Sequence, residues 1–228
     1  MTLRLTDWTL VIDLDGTLVE TAPDLHAALN HVLQGEGLDP IPLAEIRNMI
    51  GDGAKALIKK GMSWNGISEI GDRLDTQLWP DFLDHYLRNI CRLSRPFEGA
   101  LEALEIARTQ GAQLAICTNK TQRLAEAVLD GLEIRDRFAA VLGADHASAR
   151  KPSPVHILET IEAAGGRADK AVMIGDSQTD QQAALNAGLP YIFAEFGYGT
   201  VRTDGDAQLA HLAHWAELGS ALKTLIRS

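Results

Sequence analysis

Several apolar runs of this chain stop at polar residues whose types could do chemistry together. Leu10-Val11-Ile12 leads straight into Asp13 and, two residues on, Asp15, with Gly16 following so that the chain can turn. Leu114-Ala115-Ile116-Cys117 leads into Thr118-Asn119-Lys120, and Ala171-Val172-Met173-Ile174 into Gly175-Asp176-Ser177-Gln178-Thr179-Asp180. Arg150-Lys151-Pro152 stands just ahead of a segment that opens at Pro154. An ionised carboxylate at a buried strand end is costly unless a cation or a donor network meets it. Taken singly, each group has an ordinary reading. Asp13 and Asp15 suit a capped strand end, Thr118 a strand-end hydroxyl and Lys151 a solvated lysine. Asp176 suits a turn after Gly175, and Asp180 a first-turn acid favoured by the helix dipole. Taken together, a hydroxyl, a lysine and two pairs of carboxylates suit a phosphoryl group and a hard divalent cation.

These groups meet only if the elements carrying them lie side by side. From Pro96 onward short apolar strands alternate with amphipathic helices. Strands are predicted at 114–117, 140–142, 171–174 and near 191–193. Helices are predicted through Leu101, Leu104 and Ala107; through Leu124, Val128 and Leu132; through Val155, Leu158 and Ile161; from about Gln178 to Asn186; and at the C-terminus. That alternation implies a parallel sheet covered on both faces, with its ligand crevice outside the carboxyl ends of the strands. Residues 19–90 instead read as helical segments with no convincing strand. One starts near Pro23 and stops at Gly35-Glu36-Gly37, one spans 43–50, and one carries Ala54, Leu57, Ile58 and Met62. A longer one over 68–89 should be kinked or split by Pro80. The fold expected is α/β: a Rossmann-like parallel sheet core, residues 1–18 and 91–228, with a small helical cap domain, 19–90, inserted after the first strand.

At 228 residues, 46% apolar and 23% charged, the chain has the composition of a globular protein with a sizeable core. Its formal charge of −10 argues against nucleic acid and anionic membrane surfaces, so an anionic small substrate would need local positive charge. Cys91 and Cys117 form no paired spacing, the stretch Met1–Asp7 has no signal-like apolar region, and no apolar run approaches the roughly 20 residues of a spanning helix. A cytoplasmic protein is expected, monomeric or homodimeric.

Asp13-Leu14-Asp15-Gly16-Thr17, Thr118-Asn119-Lys120, Lys151-Pro152 and Gly175-Asp176-Ser177-Gln178-Thr179-Asp180 resemble, in order, the four motifs of the haloacid dehalogenase superfamily. The acid–x–acid pattern is similar to the phosphatase and phosphomutase branches, since the dehalogenase branch lacks the second carboxylate. The resemblance implies that Asp13 is a nucleophile forming an aspartyl-phosphate and that Asp15 is the general acid–base. It implies that Thr118 holds phosphoryl oxygens and that Lys151 neutralises charge. It also implies Mg²⁺ bound by Asp13, the Asp15 backbone carbonyl and Asp176, with Asp180 in the metal cluster or supporting Asp176 or Lys151. The substrate would be a small phosphorylated metabolite.

Thr21-Ala22-Pro23-Asp24-Leu25, the cap turn Gly51-Asp52-Gly53 and Phe196-Gly197-Tyr198-Gly199 look like phosphoglycolate phosphatases. On that resemblance Gly51, Gly53 and Asn119 are candidate substrate contacts, although Gly51-Asp52-Gly53 also suits a plain helix-joining turn. Phosphomutases of the superfamily show a cap histidine and an arginine about where this chain has Leu25 and Gly53. A phospho-receiver module shares the order aspartate, threonine, lysine, but it would be about half this length and would need neither Asp15 nor Asp176. His211 and His214 read as surface histidines, Cys117 as packed core, and the tryptophans as packing residues.

Overall fold

A computed structural model describes residues 4–202 and 208–226; the first three residues of Met1–Asp7 lie outside them. The strands are β1 (Thr9–Ile12), β2 (Val19–Glu20), β3 (Arg95–Pro96), β4 (Gln113–Thr118), β5 (Ala140–Gly143), β6 (Ala171–Gly175), β7 (Tyr191–Ala194) and β8 (Leu209–Leu212). Six of them form one parallel sheet in the order β5-β4-β1-β6-β7-β8. β1 lies at its middle and is buried at every residue. Alternate residues feed two cores: Leu10, Ile12, Leu114, Ile116, Val172 and Ile174 pack into one, and Val11, Cys117 and Met173 into the other. A strand buried on both faces has to be apolar throughout, which is why these runs stand out in the sequence.

The helices are α1 (Ala22–Gly35), α2 (Leu43–Arg47), α3 (Ala54–Trp64), α4 (Trp79–Arg88), α5 (Ala100–Thr109), α6 (Gln122–Gly131), α7 (Pro154–Ala163), α8 (Gln178–Ala187) and α9 (Leu218–Leu225). α7 and α8 cover one face of the sheet, while α5, α6 and α9 contribute to the larger core on the other. Between β2 and β3 every helix, α1 to α4, belongs to the inserted segment, and α1 packs against α4. No helix among the described residues is long and apolar enough to cross a membrane.

Three sequence expectations need correction, and one irregularity falls where it was expected. β8 was not expected; its pattern is short and alternating, with Ala210 and Leu212 buried and His211 exposed, as an edge strand permits. The inserted segment does contain a strand, β2, whose two residues pair antiparallel with β3. The helix expected over 68–89 carries its irregularity beside Pro80, as expected: Leu74–Leu78 is a π-helical turn, closed by the Trp79 N–H on the Leu74 carbonyl, that runs directly into α4. Finally, α7 buries His156, Ile157, Thr160 and Ile161, whereas Leu158 is exposed. The apolar spacing misleads there because His156 and Thr160 face inward with their polar atoms bonded, His156 Nε2 to the Leu142 carbonyl at 3.1 Å and Thr160 Oγ1 to the His156 carbonyl at 2.7 Å.

Candidate active site

The parallel order brings the carboxyl ends of β1, β4 and β6 together, and the side chains just beyond them meet at one point. Asp13 follows β1, Thr118 ends β4, and Asp176 follows β6. All three are buried, as is Lys151 in the loop ahead of α7.

Lys151 is held from several sides. Its Nζ donates to the Cys117 carbonyl at 2.7 Å and to Asp180 Oδ1 at 2.6 Å, and lies 2.9 Å from Asp13 Oδ1. Burial opposes its charge, yet Asp13 and Asp180 beside it raise its pKa above the ordinary lysine value. Its backbone N–H donates to His156 Nδ1 at 3.3 Å, so a histidine from α7 fixes the main chain at this lysine. Both oxygens of Asp180 are engaged: one accepts from Lys151, and the other accepts from the Ser177 N–H at 3.1 Å and Ser177 Oγ at 2.6 Å, closing a capping box on α8.

Asp13, Asp176 and Asp180 each offer a carboxylate oxygen within 4.8 Å of the others. Burial raises the pKa of Asp13 although Lys151 lowers it, with Asp180 and Asp176 raising it further; burial and Asp180 likewise raise that of Asp176. Asp13 Oδ1 is buried with the Lys151 ammonium as its neighbour. Three buried carboxylates crowded this closely, with a single lysine among them, fit a hard divalent cation, which would restore their charged form. Asp176 is aimed by Thr17 Oγ1 at 3.0 Å and by the Tyr198 N–H at 2.6 Å. Gly16 makes this possible: its φ is +84°, and a Cβ there would come within 2.6 Å of Asp176 Oδ2.

Asp15 points away from that cluster, toward the inserted helices. It accepts from Thr21 Oγ1 at 2.6 Å and from Lys120 Nζ at 2.9 and 3.0 Å. Lys120 is itself buried, and its Nζ lies 5.0 Å from the centre of the Tyr86 ring on α4. Above these groups is a cavity of about 220 Å³, walled by Asp13, Asp15, Thr118 and Lys120 on one side and by Leu25, Trp79 and the turn Gly51-Asp52-Gly53 on the other. The turn touches the sheet side directly. Asn119 Nδ2 donates to the Gly51 carbonyl at 3.3 Å and to the Lys151 carbonyl at 3.1 Å, and Arg150 Nη1 to the Asp52 carbonyl at 3.3 Å. Gly53, at φ +87°, faces the Asn119 backbone carbonyl at 3.0 Å from where a Cβ would lie. Gly53 thus packs closely against the protein's own main chain.

Asp13, Asp15, Gly51, Gly53, Thr118 and Asn119 line this cavity, while Lys151, Asp176 and Asp180 cluster about Asp13 without lining it. The contacts that Thr17, Thr21, Tyr198 and Lys120 make here are not expected from the sequence. Isolated hydroxyls and a lone lysine carry no spacing signal, and only the fold shows what they touch. Trp79 lines the cavity, whereas Trp215 is buried and Trp64 exposed. His211 pairs with Glu195 on the surface at 2.6 Å. Cys117 is packed core, its thiol pushed up to about 12 by burial.

A family model described as haloacid dehalogenase-like hydrolase matches residues 10–194. A phosphoglycolate phosphatase of Caulobacter vibrioides is 44% identical over 194 residues, 83% of this chain and 80% of that one. A phosphoglycolate phosphatase of Mesorhizobium japonicum is 42% identical over 190 residues, 83% of each chain. Among solved structures, one described as a predicted phosphoglycolate phosphatase from Haemophilus somnus superposes with a TM-score of 0.85 at 26% identity, covering 95% of this chain and 97% of that one.

Proposed function

Because the chain belongs to the haloacid dehalogenase-like hydrolase family, we propose that it is a cytoplasmic, Mg²⁺-dependent phosphomonoesterase that splits 2-phosphoglycolate into glycolate and inorganic phosphate. One observation carries this reading: Asp13, with Lys151 beside it, and Asp15, turned toward the helices, both border one small cavity closed by a glycine turn. A nucleophile and an acid–base so arranged address opposite ends of a phosphate ester.

In this reading a carboxylate oxygen of Asp13 attacks phosphorus, the ester bond breaks, and the departing glycolate oxygen takes a proton from Asp15. Water then attacks the phosphorylated Asp13, gives its proton to Asp15, and phosphate leaves. Thr118 holds phosphoryl oxygens and Lys151 neutralises charge on both partners. At 4 Å, two unit charges repel by about 4 kcal/mol at an effective dielectric of 20, so local neutralisation decides whether the anions can meet. Mg²⁺, held by Asp13, Asp176 and the Asp15 carbonyl, would supply the remaining positive charge. Asp180 acts by fixing Lys151. Residues 19–90 act as the cap that admits small substrates. Leu25 and Gly53 line the cavity in place of the histidine and arginine of the mutase pattern, which favours hydrolysis over transfer.

The test is a panel of small phosphate monoesters ranked by kcat/KM from inorganic phosphate release with Mg²⁺. 2-Phosphoglycolate should rank first, by about 10²-fold over esters lacking a carboxylate. A sugar phosphate at the head of the ranking would overturn the substrate assignment.

A further inference from the structure

Of the lysines buried among the described residues, Lys151 has its task beside Asp13, while Lys120 has none in the reaction above. Burying an ammonium is costly, and this one sits against the wall of the cavity. Two contacts anchor it: both oxygens of Asp15, at 2.9 and 3.0 Å, and the Tyr86 ring at 5.0 Å.

The chemistry of the proposed substrate locates a need at the same spot. In 2-phosphoglycolate a single methylene separates the ester oxygen from the carboxylate carbon. Asp15 serves the ester oxygen, so the substrate's carboxylate must lie within a few bond lengths of the Asp15 carboxylate. Two anions so close require a cation shared between them. The cavity's other cations are Lys55 and Arg150, both exposed. Lys55 is paired with Asp75 at 2.6 Å, and Arg150 is bonded to the Asp52 carbonyl at 3.3 Å. Lys120 alone among them touches Asp15.

Resting on the phosphoglycolate reading, we propose that Lys120 is the specificity residue that receives the substrate's carboxylate, sharing its ammonium between that group and Asp15. Tyr86 of α4 backs the lysine from the far side. The cap therefore contributes to selection by holding this cation in place as well as by limiting size. A phosphate ester of similar size with no carboxylate leaves the ammonium wholly to Asp15 and gains nothing from it.

The experiment compares 2-phosphoglycolate with 2-hydroxyethyl phosphate, which replaces the carboxylate by an alcohol. Lys120→Met should lower kcat/KM on both, since Asp15 loses its anchor, but by about 10²-fold more on 2-phosphoglycolate. Lys120→Arg should restore part of that preference. Equal losses on the two esters would overturn the assignment of Lys120 while leaving the phosphoglycolate reading intact. A wild-type enzyme indifferent to the carboxylate would instead remove that reading and this inference with it. Should the single variant not fold with Asp15 unpaired, the neutral double variant Lys120→Met/Asp15→Asn is used in calorimetric binding, where no turnover is needed. The wild-type protein should bind 3-phosphonopropionate more tightly than propylphosphonate, and the double variant should bind them alike. A preference surviving in the double variant would overturn the proposal.

Discussion

His156 offers a quantitative test of how Lys151 is held. It lies under the sheet on α7, bonded through Nε2 to the Leu142 carbonyl and through Nδ1 to the Lys151 N–H. A carbonyl on one side and an N–H on the other require the neutral ring with its proton on Nε2. Burial, and next the nearby Lys151, lower its pKa from 6.5 to about 4. Between these values the unfolded chain binds a proton that the folded protein refuses. The stability from the neutral ring is therefore complete above 6.5 and is lost as pH falls toward 4. Between about pH 7.5 and pH 5.0 the loss amounts to about 2 kcal/mol. His156→Gln cannot titrate and can keep one of the two hydrogen bonds, so it should cost about 1–2 kcal/mol near neutrality. Urea denaturation of both proteins across that interval should show the wild type losing about 2 kcal/mol more than the variant, so that the curves converge. Taking the difference cancels the other titrating groups, including Asp13, whose sign is opposite. Curves that fall in parallel would refute the claim that a neutral histidine clamps Lys151.

Asp15→Asn should give a burst near one p-nitrophenolate per enzyme from p-nitrophenyl phosphate, because that leaving group needs no proton, followed by turnover slowed about 10²–10⁴-fold. Intact-mass spectrometry should find one phosphoryl group on the variant, and steady turnover at the parent rate would remove Asp15 from the mechanism. Because burial raises the pKa of Asp13, the metal-free protein keeps a proton that the unfolded chain has released above 3.8, so its stability should fall as pH rises. The gap in Tm between samples in Mg²⁺ and in EDTA should then widen from about pH 5 to about pH 8; a constant gap would count against a cation at these carboxylates. Gly16→Ala should lose about 1–2 kcal/mol from its positive φ alone and weaken Mg²⁺ binding by pushing on Asp176, as read by calorimetry. Unchanged Mg²⁺ affinity would mean that Asp176 is not a ligand.

What was legible in the sequence follows from how many constraints act on each residue. β1, β4 and β6 are buried on both faces, so each had to be an unbroken apolar run, and the acids and hydroxyl that interrupt those runs stood out. β8 sits at the sheet edge with one side wet, and a short alternating run of that kind resembles many loops. The inward face of α7 was misassigned because His156 and Thr160 are held by hydrogen bonds, which apolar periodicity cannot register. Lys120 was missed for a related reason: its neighbours Asp15 and Tyr86 stand 105 and 34 positions away in the chain.

The ribbon of β2 and β3 has a consequence for how this protein could have changed over time. The inserted segment leaves and rejoins the sheet domain through strands that lie side by side, Val19 opposite Pro96 and Glu20 opposite Arg95, with the Phe97 N–H on the Leu18 carbonyl at 3.0 Å. Its two ends are thus tied together whatever lies between them, much as a socket accepts different plugs. Doubling the length of a flexible segment between fixed ends costs only about 0.6 kcal/mol in closure entropy. Asp13, Thr118, Lys151 and Asp176 all lie outside the span from 19 to 96. Lineages could therefore trade one plug for another, and with it, on the proposed reading, the molecules admitted, while the groups proposed to act at phosphorus stayed where they were.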